Sequence, residues 1–278
     1  MKECEHYNLP QGQEYRVWSK AILRQKVGHD QVLTDYLVED EHYSINQKTL
    51  ALYEFQQQPL LGKYKSVIFD IQAGIILSYN STRSLFTAFS KECLLAGLEF
   101  QREFARKINL KNHNTIATGR LAYFSTRSYN SGNIDWVALH QMVAFQPLNL
   151  SAVAFKTVSY GDSDYIFAFD NCSRYISEQI DNGLFYNHAL YQLASVHLER
   201  ILGWHVTATK GKSLIDQPEY FHPHEPLTNL SLKHILASLL DKKQQRYGHY
   251  LANFYEFPEL VESHRIIQQI SQRPDTLY

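Results

Sequence analysis

An α+β fold, with a mostly antiparallel sheet packed by two amphipathic helices and extra helical N- and C-terminal segments, is what three features of this 278-residue sequence predict. Strand-length apolar runs separated by turn formers fill the chain from Tyr43 onward. Two stretches, Phe86 to Lys107 and Asn187 to Leu202, place apolar residues at three- and four-residue steps, the spacing of one helical face. Finally, SAVAFKTVSYGDSDYIFAFDN reads as two strands joined around Gly161, the strongest hairpin signal in the chain.

Taken in order, residues 1–42 read as an N-terminal appendage with a short helix. Val17, Trp18, Ala21 and Ile22 share one helical face there, and Arg16, Lys20 and Arg24 form a basic stripe. A helix docked on the main body or on another subunit explains that stripe adequately. A strand pair with a turn around Asn46 and Gln47 follows, then KSVIFD and GIILSY, with Gly62 and Gly74 as punctuation. Together they predict an antiparallel meander. Ser81, Thr82 and Ser84 offer oxygens to cap the Phe86 helix, whose first backbone donors lack partners. Its buried stripe is Phe86, Phe89, Cys93, Gly97, Phe100 and Phe104.

Beyond Lys107 a polar, asparagine-rich loop leads to an apolar strand at LAYF, a break at Ser128 to Asn133, and a resumption through Ile134, Trp136, Val137 and Leu139. The Asn187 helix stops at Gly203. A proline-bearing connector then precedes a periodic helix from Leu230 to Tyr247, and Pro258 to Gln272 suggests one more. The expected division is therefore 1–42, a core at 43–203, and a connector with a helical C-terminal region at 204–278.

The net charge of −1 excludes a protein that coats nucleic acid by bulk charge, but the distribution is uneven. Arg83 to Arg127 carries eight cations against three carboxylates, a net +5, which leaves −6 on the remainder. An anionic partner suits that middle segment. The three cysteines, Cys4, Cys93 and Cys172, are odd in number and far apart, which supports neither a disulfide framework nor a paired-cysteine zinc site. No run approaches the roughly 20 apolar residues of a membrane span, and the first residues lack the apolar core of an export signal. The expected location is the cytoplasm, with no membrane partner.

Enzymatic signatures are scarce: there is no glycine-rich phosphate loop, no nucleophile elbow and no zinc-type histidine pair on a helix. Asp162 and Asp164 sit where a hairpin turn favours small polar residues. His222, His224 and Glu225 carry metal-ligand chemistry, but the prolines of HPHEP hold the segment extended and only the lone His234 follows. No catalytic residue, metal or cofactor is assigned, and the chain is not read as an enzyme. Trp136 and the tyrosines read as core or interface.

Short motifs in a fixed order carry a resemblance. Tyr43, Ile45, Asn46 and Thr49 are followed by Cys93, Gly97, Phe100 and Arg102, then by Phe124, Thr126, Ser128 and Trp136, and then by Phe169, Asn171 and Tyr191, with Arg-Tyr closing the last matched helix. In this order the chain resembles the competence transcription factor (ComK) family of Gram-positive bacteria, over about Tyr43 to Tyr247. Arg102-Glu103 stands where the family has Gly-Arg, Ser125 replaces a proline, and Asn171-Cys172 replaces Asn-Gly.

The resemblance implies a transcription activator of DNA-uptake genes. Such a protein would bind paired A/T-rich boxes of double-stranded DNA through the minor groove, form homo-oligomers on the promoter, and meet RNA polymerase and a proteolytic adaptor. A narrow A-tract groove is strongly negative, so a few arginines can read it without a large overall charge. The residues expected at DNA are Arg102, Arg106, Lys107, Lys111, Arg120 and Arg127, with Arg83 and Lys91 behind them. The alternative is a regulatory or protein-interaction module that keeps the fold and has lost DNA binding; a metal-dependent hydrolase stands third.

Overall fold

The computed structural model describes residues 7–94, 97–110, 114–128, 134–161, 163–205, 211–217 and 231–254, and the chain divides into two compact units, Met1–Asn229 and Leu230–Tyr278. The first unit is α+β. It begins with β1 (Val17–Trp18), α1 (Lys20–Lys26), α2 (Gln31–Thr34) and β2 (Leu37–Glu39). The meander β3 (Thr49–Glu54), β4 (Ser66–Asp70) and β5 (Gly74–Ser78) comes next, then α3 (Thr82–Cys93) and α4 (Gly97–Lys107). The remaining elements are β6 (Thr115–Ala117), β7 (Ala122–Ser125), β8 (Trp136–Ala138), β9 (Met142–Asn149), β10 (Ala152–Thr157), β11 (Ile166–Phe169) and α5 (Ile176–Arg200).

These strands form a seven-stranded sheet in the order β2-β5-β4-β3-β8-β7-β6 and a four-stranded sheet in the order β1-β11-β10-β9. Their ladders are antiparallel except at β1 with β11 and β2 with β5. Alternation across the pleat decides what each face of the large sheet covers. Tyr53 and Phe69 meet the small sheet, with Tyr53 4.9 Å from Phe169 and Phe69 5.0 Å from Phe167 between ring centroids. Leu52, Ile68, Ile76 and Trp136 pack in one cluster with Leu85, Phe86 and Phe89 of α3. All six residues of β3 are buried, as a strand covered on both faces requires.

The first forty residues differ from the expected appendage. Val17 and Trp18 form a parallel strand on β11 rather than part of a helix, and Leu37 to Glu39 extend the large sheet along β5. Trp18 is wholly buried, 4.9 Å from the Phe69 ring. The helix starts only after it, where the Ser19 hydroxyl accepts the Ile22 N–H. The compact unit Met1–Asn229 thus includes the first forty residues.

The Phe86 to Lys107 stretch is also not one helix. Leu94 turns extended and Gly97 takes φ +65°, so the chain folds into α3 and α4. The apolar spacing survived the break because each helix has its own aromatic target. Phe86 stacks on Trp136, whereas Phe104 meets Tyr186 of α5 at 5.3 Å. Cys93, expected in the buried stripe, is exposed. Ser81 does cap α3, accepting the Ser84 N–H. In the second unit, α6 (Leu232–Phe254) extends seven residues past the expected end at Tyr247, and Pro258 to Gln272 lies outside the described residues.

Candidate nucleic-acid interface

One end of the first unit, where β3 and β7 finish and β8 begins, draws cations from five places in the sequence. Its floor is acidic and closed. Glu54 and Asp135 are 3% and 4% exposed, and burial raises both carboxyls above the usual range. Glu54 Oε2 accepts the Thr82 N–H at 2.8 Å, which places the start of α3 here, and Oε1 accepts the Gln56 N–H at 2.9 Å. Asp135 Oδ1 accepts the Glu54 N–H at 2.7 Å and pairs with Lys20 Nζ at 2.9 Å. The two carboxylates are thus engaged inside the fold.

Around this floor lies a cleft of about 380 Å³ lined by Lys20, Arg24, Phe55, Arg127 and Asp170, among others. Arg127 follows the end of β7, and its Nε donates to the Asn171 carbonyl. The Arg24 guanidinium lies 5.7 Å from the centre of the Phe55 ring. Backbone bonds fix the neighbouring loop: Ser173 N–H donates to the Thr126 carbonyl at 2.9 Å, and Cys172 N–H to the Ser151 carbonyl at 2.7 Å. Arg174 is therefore carried to the same end, just before α5, and is exposed.

The second helix points its C-terminal end the same way. Gln101 brackets Ala117 with bonds of 2.9 and 3.1 Å, which lays α4 against β6. From Lys107 the chain returns to Asn114, whose carbonyl accepts the Ser125 N–H at 2.7 Å, two residues before Arg127. Arg102, Arg106 and Lys107 are exposed. Glu103 is 4% exposed and accepts Arg106 Nη2 at 2.6 Å. It presents no open carboxylate outward. Among the described residues, Arg102 and Lys107 have no ion pair.

The other expected residues fall elsewhere. Arg83 opens α3 and belongs to this end, whereas Lys91 lies near the far end of α3, and Lys111 is outside the described residues. Arg120 sits in the β6–β7 turn, so the length of that hairpin, roughly 20 Å for seven extended residues, separates it from Arg127. Its guanidinium lies 5.7 Å from the Tyr191 ring in a different cleft of about 780 Å³, beside Lys48, His140 and His188. Gly119 turns the chain there at φ +90°, where an added Cβ would stand 2.9 Å from Tyr191 Cα.

Sequence reasoning singled out neither Arg174 nor the meeting of Lys20 and Arg24 with Arg127. The first has no pattern around it, and the second exists only because β1 pairs with β11. Asp164, expected in turn chemistry, accepts Lys156 at 2.6 Å beside the hairpin. Trp136 and Tyr123 are core residues, as their composition suggested. The candidate ligands His222, His224 and Glu225 lie outside the described residues. Among the described residues, no group of three or more histidines, cysteines or carboxylates is placed to hold a metal, and no helix is long and apolar enough to cross a membrane.

His140 links the second cleft to stability. Its Nδ1 accepts the Ala122 N–H at 3.2 Å, and desolvation pushes the imidazole down to about 4 from an ordinary 6.5. The folded state thus binds this proton less tightly than the unfolded chain does. Stability tied to His140 is present above about pH 6.5 and is lost as pH falls towards about 4. Urea titrations across that range should show a descending acid limb, flattened in His140→Asn; an identical limb in the variant would place the titration elsewhere.

Compared with known proteins, the chain matches no family model, no curated protein and no solved structure.

Proposed function

We propose that this protein is a DNA-binding regulator of transcription, of the kind that activates competence genes, and that it takes duplex DNA at the cationic end described above. The observation that carries the reading is a segregation of charge. Arg83, Lys107, Arg127 and Arg174, with Arg24 beside them, come from separate elements to one end, while the carboxylates Glu54, Glu103 and Asp135 are buried and bonded internally. A net charge of −1 does not oppose this, because phosphates respond to the local field. A/T-rich sites read through a narrow minor groove fit a small number of arginines better than a broad basic face would. Oligomerisation on the promoter, RNA polymerase contact and an adaptor for proteolysis belong to the same proposal, on the motif resemblance alone.

A second reading, an interaction module without DNA binding, draws on Asp170 and Glu178, which stay exposed at the same end, and on the capture of Arg106 by Glu103. Salt titration separates the two. Binding to an A/T-rich duplex should weaken steeply with salt and exceed binding to a G/C-rich one. Arg127→Ala should cost about 1–3 kcal/mol and narrow that preference, whereas Lys107→Ala should weaken both duplexes alike and reduce the salt slope by about 1. Absence of duplex binding at low salt would leave the interaction module as the reading.

A further inference from the structure

Beside the cations, the same end carries an apolar arm. Residues 146–151, the last part of β9 and its turn into β10, are all exposed and read Gln-Pro-Leu-Asn-Leu-Ser, without a charge. Leu148 is 55% and Leu150 89% exposed, the latter the most exposed large apolar residue described. The arm is nonetheless fixed in place. Asn149 Oδ1 accepts the Ser151 N–H at 2.8 Å, and the Ser151 carbonyl accepts the Cys172 N–H at 2.7 Å. The second bond ties the tip to the loop that holds Arg127 and Arg174 and that exposes the Tyr175 ring.

We infer that Leu148 and Leu150 form a wedge that enters between stacked bases from the minor groove and kinks the duplex held by the neighbouring arginines. This inference rests on the DNA-binding reading. Two exposed leucines next to guanidinium groups need an occupant with negative charge outside and apolar surface within reach. A duplex offers that combination: phosphates line its grooves, and its only large apolar surface lies between base pairs. Partial unstacking exposes this surface at a cost of about a few kcal/mol per step, which the bent path offsets by bringing more backbone onto the protein. Asn149 suits the position between the leucines. Its carbonyl oxygen is used within the turn, which leaves the amide N–H groups for the acceptors that both A·T orientations present in the minor groove.

A second copy of the chain is the weaker occupant. β9 is the edge of its sheet, but Pro147 lacks the N–H that edge-to-edge pairing would use, and the ladder with β10 shifts register near both ends. The preferred site should contain a pyrimidine–purine step, the easiest to unstack.

The test uses the full chain and a short A/T-rich duplex, with a central TA step, carrying a fluorophore at each end. Wild-type protein should shorten the end-to-end distance as it binds. The double variant Leu148→Ser, Leu150→Ser should still bind, about tenfold more weakly, with the shortening lost, and Leu150→Phe should retain it. Both leucines are exposed, so thermal melts of the variants should match wild type. An unchanged bend in the double variant overturns the wedge and leaves DNA binding standing. A fall in sedimentation mass in that variant assigns the arm to contact between copies and also overturns it. No binding of wild type to any duplex removes the DNA reading and the wedge together.

Discussion

Phe86→Ala is expected to lower the unfolding free energy by about 3–5 kcal/mol, through the packing on the helical side of the sheet. Phe86 is fully buried, its ring centroid 3.8 Å from that of Trp136 and 5.4 Å from that of Tyr123, with Phe89 at 6.1 Å. Truncation removes one wall of a cage whose opposite wall is Trp136 and Tyr123, strand residues held by the sheet ladder. The cost therefore combines lost transfer energy with an unfilled cavity. Phe86→Leu, which keeps most of the volume, should cost under about half as much. Urea unfolding with an unchanged denaturant slope would measure both. A loss below about 1 kcal/mol for the alanine variant would mean that α3 can slide to fill the gap.

Asp135→Ala should cost about 3 kcal/mol, because it strips the acceptor from the buried Glu54 N–H and from Lys20 at once. Lys20 keeps some access to water, its side chain being 28% exposed, which holds the loss below that of a sealed ion pair. Asp135→Asn tells the two contributions apart. It retains an oxygen for the Glu54 N–H, and burial already disfavours the ionised carboxylate, so the asparagine variant should stay within about 1 kcal/mol of wild type near neutral pH. The sign with pH follows from the raised carboxyl. Ionised Asp135 costs stability that the protonated form does not, so the asparagine variant should gain on wild type as pH rises through the folded-state value. A loss as large for asparagine as for alanine would show that the charge, and not the hydrogen bond, holds this corner.

Much of the sheet was legible from local pattern. β4 and β5 are apolar runs with glycine near their starts, and β10 and β11 flank a turn whose Gly161 takes φ +60°. β9 was not, because Gln146, Pro147 and Asn149 give an edge strand the composition of a loop. Half of α5 was missed for a similar reason: Asp181, Asn182 and Gly183 are poor helix formers, and Phe104 and Tyr186 supply tertiary contact that sequence periodicity cannot see. The basic middle of the chain was legible as a count, but its division was not. Arg120 and Arg127 are seven residues apart and lie at opposite ends of a hairpin, while Arg24 and Arg174, 150 residues apart in sequence, sit at the same end. Glu103 lies outside the apolar stripe of the Phe86 stretch and is nevertheless turned inward, which only the helix register against Gln101 and Phe104 determines.

The parallel pairing of β1 with β11 sets an order of events during synthesis. Val17 meets Ile166, so the strand nearest the start of the chain waits for about 150 residues to be made before its ladder can form. At about 5–20 residues per second that is many seconds, during which Trp18 lacks its ladder partner Phe167. Leu37 to Glu39 face a shorter wait, for β5 alone. Contacts this distant in sequence slow folding more than they change final stability, since loop closure precedes the energy it releases. The small sheet should thus lock after the meander of the large one, and Arg127, whose neighbours Asn171 and Lys20 are delivered by that closure, acquires its setting only then.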